Sequence, residues 1–160
     1  MNRIPLVAIL LGAGSGVAVA DPCSVAIEAN DMLQYSTHAL AVPASCSVIE
    51  LTLRHTGKQP ARVMGHNWVL TRDADMTAVV RAGMNAGFSR NYQPEGDPRI
   101  IAATPIVGGG GSTTVRIDTS RLTPGASYTY FCSTPGHAVA MKGRLSFGMP
   151  GTLNAANRKP

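Results

Sequence analysis

Val48-Ile49-Glu50-Leu51-Thr52-Leu53-Arg54 sets Ile49, Leu51 and Leu53 against Val48, Glu50, Thr52 and Arg54 in alternation. Successive side chains of a strand point to opposite faces, so this segment has one apolar and one largely polar face, as a sheet with one wet side requires. Outward from it, Ser24 to Ala29, Asn67 to Leu70, Ile100 to Val107, Thr113 to Thr119, Ser127 to Cys132 and Lys142 to Phe147 also read as strands. Turn chemistry separates them at Thr56-Gly57-Lys58-Gln59-Pro60, Gly108 to Gly111 and Thr123-Pro124-Gly125. Short strands with frequent turns predict an all-β sandwich or barrel.

One segment departs from that pattern. Within Asp73 to Phe88, the residues Ala74, Met76, Ala78, Val79 and Val80 come close to helical spacing, with Asp73 placed to cap the start and Gly83 and Gly87 to weaken or end it. This predicts a short helical flap inserted between strands. Leu122-Thr-Pro-Gly125-Ala-Ser-Tyr128 looks like the tyrosine corner of Greek-key sandwiches, in which the phenol bonds back to the backbone before the turn. An ordinary Pro-Gly turn accounts for the same residues equally well.

Residues 1–20 have the layout of a secretory signal: a positive start at Asn2-Arg3, an apolar run from Ile4 to Val19, and the small-x-small pattern Ala18-Val19-Ala20 before Asp21. A membrane anchor is the competing reading, but a span needs roughly 20 apolar residues and this run is diluted by Pro5 and several glycines. Export to the periplasm of a mature chain without a membrane span follows. Residues 21–148 then form one domain, and residues 149–160, with neither periodicity nor apolar mass, a flexible tail. The formal charge of +5 is spread without a basic run, which excludes the clustered footprint of a nucleic-acid binder. The mature part holds three cysteines, Cys23, Cys46 and Cys132, so in an oxidising compartment two of them pair and one is left over, with three pairings open.

The chemistry concentrates in Cys132-Ser-Thr-Pro-Gly-His137-Ala-Val-Ala-Met141, which offers a thiol, an imidazole and a thioether within one turn between two strands. A copper site that shuttles between Cu(I) and Cu(II) uses these ligand types. Met64-Gly65-His66-Asn67-Trp68 supplies another histidine at the opening of a strand, and Gly65 leaves its carbonyl free to approach a metal. Singly, a histidine near a strand end is more often a hydrogen-bonded residue than a ligand, and a methionine is more often core filler. Their coincidence in an exported β-rich chain with a separate pair of cysteines weighs against those plain readings.

Cys23-Ser-Val, Asn30-Asp31, Ser45-Cys46, Val63-Met-Gly-His-Asn-Trp-Val-Leu70, Ala74-Asp-Met76, Val79-Val80, Gly83-Met84, Pro135-Gly-His137 and Met141-Lys-Gly143 together resemble the azurins of the cupredoxin, or type 1 blue-copper, family. The resemblance runs from Cys23 through Phe147. It implies a Greek-key cupredoxin-like sandwich of about eight strands and one type 1 copper ion. His66, Cys132 and His137 would form the copper plane, with Met141 and the Gly65 carbonyl on its two axial sides. It also implies a Cys23–Cys46 disulfide and an Asn67 that ties the ligand-bearing segments together. With the coordination filled, the chain is expected to be an electron carrier and no enzyme.

Electrons would pass through the exposed edge of His137, where Leu33, Val63, Met64, Met84 and Pro135 are expected to form a docking patch. The expected partners are redox proteins, namely c-type cytochromes and periplasmic reductases or dehydrogenases, docking transiently on a monomer. Trp68 is expected in the core, His38 at the surface, and Tyr130 on the strand face of Cys132 with a partner for its hydroxyl. His55 resembles a non-ligand histidine whose protonation couples weakly to redox, although a satisfied core histidine explains it as well. The chain departs from the azurin pattern at Thr134, where an aromatic is expected, at Ala140, in place of a larger aliphatic, and at Gln59, in place of an apolar residue. Two rival readings are a Cys132 nucleophile activated by histidine and a copper storage or transfer protein.

Overall fold

Val48–His55 forms the strand that its alternation predicts (β3), with Ile49, Leu51, Leu53 and His55 buried and Glu50 and Arg54 exposed. The structure, a computed structural model, describes residue 21 and residues 23–148, so the expected signal at 1–20 and tail at 149–160 lie outside the described residues. β3 is the centre of a three-stranded sheet. Ser24–Ala29 (β1) runs parallel to it, Ser24 opposite Glu50 and Ala29 opposite His55, and Ser112–Asp118 (β6) runs antiparallel on the other side.

The second sheet has five strands in the order Ala39–Val42 (β2), Lys142–Phe147 (β8), Tyr128–Phe131 (β7), Val69–Arg72 (β4) and Ala102–Ala103 (β5). The chain therefore forms the expected all-β sandwich, with eight strands among the described residues. Val25, Ile27, Ile49, Leu51 and Leu53 from one sheet join Leu40, Leu70, Tyr130, Leu145 and Phe147 from the other in one buried cluster. Trp68 is fully buried within it, stacked on Tyr130 at 5.6 Å between ring centroids, and the Tyr130 hydroxyl donates to the Thr37 carbonyl at 2.8 Å.

β7 is buried on both faces. Tyr128 and Tyr130 point into the sandwich, while Phe131 packs with Val69, Val79 and Ala138 under a helical cover. That cover is the expected flap, a 3-10 turn at Asp73–Asp75 followed by a helix at Met76–Ala86 whose Met76, Val79 and Val80 face the sheet. Asp73 does not cap it as expected: the helix begins three residues later, and the Asp73 carboxylate accepts instead from the Thr129 hydroxyl of β7. Tertiary packing has claimed the carboxylate that a free helix end would have used.

Other boundaries also move. The strand expected over Asn67 to Leu70 begins at Val69 and continues to Arg72, while the Trp68 carbonyl accepts from the Thr104 N–H just before it. Of Ile100 to Val107, only Ala102–Ala103 is ladder, because Pro105 has no N–H to donate and the carbonyls of Ile100 and Ile101 are taken by Arg121. Val107 returns to pair with His66 across an isolated bridge. β2 and a one-turn helix at Ala61–Met64 were not legible as elements, each being four residues without a period of its own. Tyr128 does form the tyrosine corner, its phenol oxygen accepting from the Thr123 N–H at 2.7 Å.

Candidate metal centre

Three segments from distant parts of the chain meet at one end of the sandwich: the loop after β1, the stretch between the Ala61–Met64 turn and β4, and the loop from Cys132 to Met141. Cys132 continues the inward face of Tyr128 and Tyr130, so the alternation of β7 aims its sulfur into the interior. Gly136, with φ of 83°, turns the chain in a conformation that a side chain would strain, and a 3-10 turn at His137–Val139 follows. The Met141 N–H bonds back to the His137 carbonyl at 2.8 Å, and the Cys132 N–H to the Met141 carbonyl at 3.0 Å. The loop thus closes on itself with Met141 fully buried.

Cys132 Sγ lies 3.6 Å from His137 Nδ1 and 3.9 Å from His66 Nδ1, and the two ring nitrogens are 3.2 Å apart. With metal–nitrogen and metal–sulfur bonds of about 2.0 and 2.3 Å, donors at the corners of a plane stand roughly 3.5–3.8 Å apart. The donor set and its spacing therefore fit one metal ion. The His66 tautomer fits as well: its Nε2–H donates to the Asn30 carbonyl at 2.8 Å, leaving the Nδ1 lone pair facing the thiol. Burial, joined by the neighbouring histidines and opposed by the Asn30 carbonyl, lowers the pKa of His66 to about 4, and burial lowers that of His137 too. Both rings are held neutral, as ligands must be.

Burial also pushes the Cys132 thiol up, against the Asn67 N–H and the hydroxyl and N–H of Thr134, which favour the thiolate. An activated nucleophile needs the opposite environment, electropositive and open, and this sulfur is fully enclosed. Asn67 ties the segments together. Its side-chain oxygen accepts from the Ser133 N–H at 2.9 Å, while its amide group donates to Ser133 Oγ and to the Asn91 carbonyl, each at 2.8 Å. Gly65 has no room for a side chain, since a Cβ there would stand 2.2 Å from the Ala61 carbonyl oxygen.

His55 is fully buried, stacked on His66 at 4.8 Å, with Nδ1 accepting from the Gly57 N–H and Nε2 2.8 Å from the Met64 carbonyl. Its hydrogen bonds are met within the protein, which is the core-histidine alternative. His38 is exposed, as expected. The patch residues all reach the surface: Val63 is 63% and Met84 52% exposed, Pro135 is exposed, and Leu33, Met64 and His137 are half-buried. Met32 and Val139, 70% and 82% exposed, flank the same loops and were missed. So was the role of Asn30 and of Asp31, whose carboxylate accepts from the N–H groups of Lys58 and Gln59. The Asn30-Asp31 pair is visible in the sequence, but its partners come from segments that only folding brings near.

The sequence profile of the family described as copper binding proteins, plastocyanin/azurin family, matches residues 21–148. An azurin from Achromobacter denitrificans is 48% identical over 138 residues, which are 86% of this chain and 93% of that protein. The chain belongs to the azurin family. A second relative, an azurin from Pseudomonas denitrificans, is 49% identical over 78% of this chain and 97% of its own. Among solved structures, the azurin Az-iso2 from the obligate methylotroph Methylomonas sp. strain J superimposes with a TM-score of 0.76 at 43% identity, covering 78% of this chain and 97% of that one. Family membership makes the chain a copper-binding electron carrier of the cupredoxin fold and not an enzyme, with redox proteins as its partners in general. Cys23 and Cys46 are joined by a disulfide, leaving Cys132 free and buried.

Proposed function

We propose that this chain is exported to the periplasm and there, as a monomer, shuttles single electrons between c-type cytochromes and reductases or dehydrogenases. Residues 1–20 act as the cleaved signal and residues 21–148 as the working domain. His66, Cys132 and His137, with Met141 and the Gly65 carbonyl beside them, would hold the copper ion, and Asn67 fixes the two ligand-bearing segments. Bound copper supplies the one-electron Cu(I)/Cu(II) change.

The observation that carries the reading is the convergence of one thiol and two Nδ1 atoms within 4.8 Å of one another, at an enclosed point. The protein's contribution is rigidity: backbone bonds close the Cys132–Met141 loop, Asn67 locks it to the His66 segment, and Asn30 fixes the His66 ring. Burial of Cys132 and Met141 keeps water from the ligands. Leu33, Val63, Met64, Met84 and Pro135 form the rim on which a partner docks, around the half-buried His137. An apolar rim of this kind suits brief encounters.

Copper reconstitution of the purified mature chain tests the proposal. The expected result is an intense blue Cu(II)–thiolate absorption that vanishes on reduction, together with protection of Cys132 from thiol reagents in the loaded protein alone. A colourless copper-loaded protein with a reactive Cys132 would overturn it.

A further inference from the structure

Thr134 is one of the positions where the chain parts from the azurin pattern, and its hydroxyl, besides favouring the Cys132 thiolate, meets an oxygen on the other ligand-bearing segment. Its Oγ1 lies 3.1 Å from the Gly65 carbonyl oxygen, and between a hydroxyl and a carbonyl the hydroxyl is the donor. Both ends of this bond are fixed. Gly65 is wedged so closely that a Cβ would meet the Ala61 carbonyl oxygen and Ile106 Cγ2 at 2.2 and 2.5 Å. Thr134 accepts from the His137 N–H at 3.0 Å and follows Ser133, which Asn67 holds. The contact is thus a built bridge between the two ligand-bearing segments, sixty-nine residues apart in sequence.

We propose that Thr134 is a positioning residue that raises the reduction potential of the site by donating its hydroxyl hydrogen to the Gly65 carbonyl. The proposal rests on the reading that His66, Cys132 and His137 would hold copper with the Gly65 carbonyl close by. A carbonyl oxygen presents partial negative charge, which stabilises a doubly charged ion more than a singly charged one. A donor on the same oxygen draws that charge away and adds the positive end of an O–H dipole, so the lower charge state is favoured. A phenylalanine at this position would offer no such donor.

The test compares the full mature chain with Thr134→Val, which keeps the shape and loses the donor, and Thr134→Ser, which keeps the donor. Reduction potentials are read on the copper-loaded proteins, and the carbonyl carbon NMR shift of Gly65 on the metal-free ones. The inference requires Thr134→Val to lower the potential and to move the Gly65 resonance upfield, and Thr134→Ser to restore both. A purely structural latch would leave the potential where it is once the protein is folded. Any other pattern overturns the inference: an unchanged or raised potential in Thr134→Val, a Gly65 resonance that stays put, or a serine that fails to rescue. Should Thr134→Val not fold, Thr134→Ala makes the same comparison. A wild-type protein without the blue band defeats the copper reading itself, whereas a blue wild type whose potential ignores Thr134→Val defeats only this step.

Discussion

The two ends of the three-stranded sheet are closed by different chemistry. Where β1 and β3 begin, the Cys23–Cys46 disulfide joins the segments that lead into them. Where they finish, at Ala29 and His55, the loops are held by hydrogen bonds: Asp31 to the Lys58 and Gln59 N–H groups, Asn30 to His66, and Asn67 to Ser133 and Asn91. β1 has six residues, which at about 3.3 Å each separates the ends by roughly 20 Å. A covalent link stabilises mainly by restricting the unfolded chain. A hydrogen-bonded end instead specifies where each ligand atom sits. The comparison teaches that stability and site geometry are assigned to separate ends.

If the ends are independent, changes at one should leave the other's readout untouched. The largest effect is expected from Cys23→Ala with Cys46→Ala, which should lower the unfolding free energy by about 3 kcal/mol, given the length of the loop it closes. Denaturant titration measures that loss, and the visible band of the copper-loaded variant should stay where it is. A band shift would mean that strain travels the length of β1 and β3. Acid should weaken the opposite end. Because the native state holds His66 near pKa 4 against 6.5 when free, the unfolded chain takes up the proton first. The metal-free protein should therefore lose about 2–3 kcal/mol as pH falls from 6.5 towards 4, with full stability above that window. Urea midpoints against pH would show it, and His66→Gln should flatten most of the slope.

Asn67→Ala removes three hydrogen bonds, two of them buried, and should cost about 2 kcal/mol. Unlike loss of the disulfide, it should also move the visible band, because the Ser133 N–H and the Asn91 carbonyl lose their common anchor; an unmoved band would show that the loop holds its own shape. The smallest effect sharpens the picture of the disulfide-side turns. Tyr128→Phe deletes the acceptor of the Thr123 N–H and should cost about 1 kcal/mol, read by thermal unfolding, with no spectral change.

Much of this was legible in particular residues. The alternation of Val48 to Arg54 gave β3 to within one residue, and Lys142 to Phe147 gave β8 with its observed bounds. That Cys132 shares a strand face with Tyr130 followed from the two-residue period of the strand. Ile100 to Val107 misled because its β-branched residues suit a strand, while Pro105 and the claim of Arg121 on two carbonyls dissolve the ladder. Asp73 misled because a capping residue is a local signal, and its carboxylate was taken by Thr129 from another strand.

Sequence alone determined the residue types that chemistry demands, a thiol, two imidazoles and a thioether at turn-forming spacings, together with the two-residue period that builds the sheets. Those are properties of the covalent chain and its local sterics. Only the tertiary structure decided which nitrogen of His66 faces the sulfur, that Asn67 spans two ligand segments, and that the Thr134 hydroxyl meets the Gly65 carbonyl. Such facts depend on angles and distances of a few ångströms between segments tens of residues apart, fixed by packing both sheets around Trp68 and Tyr130.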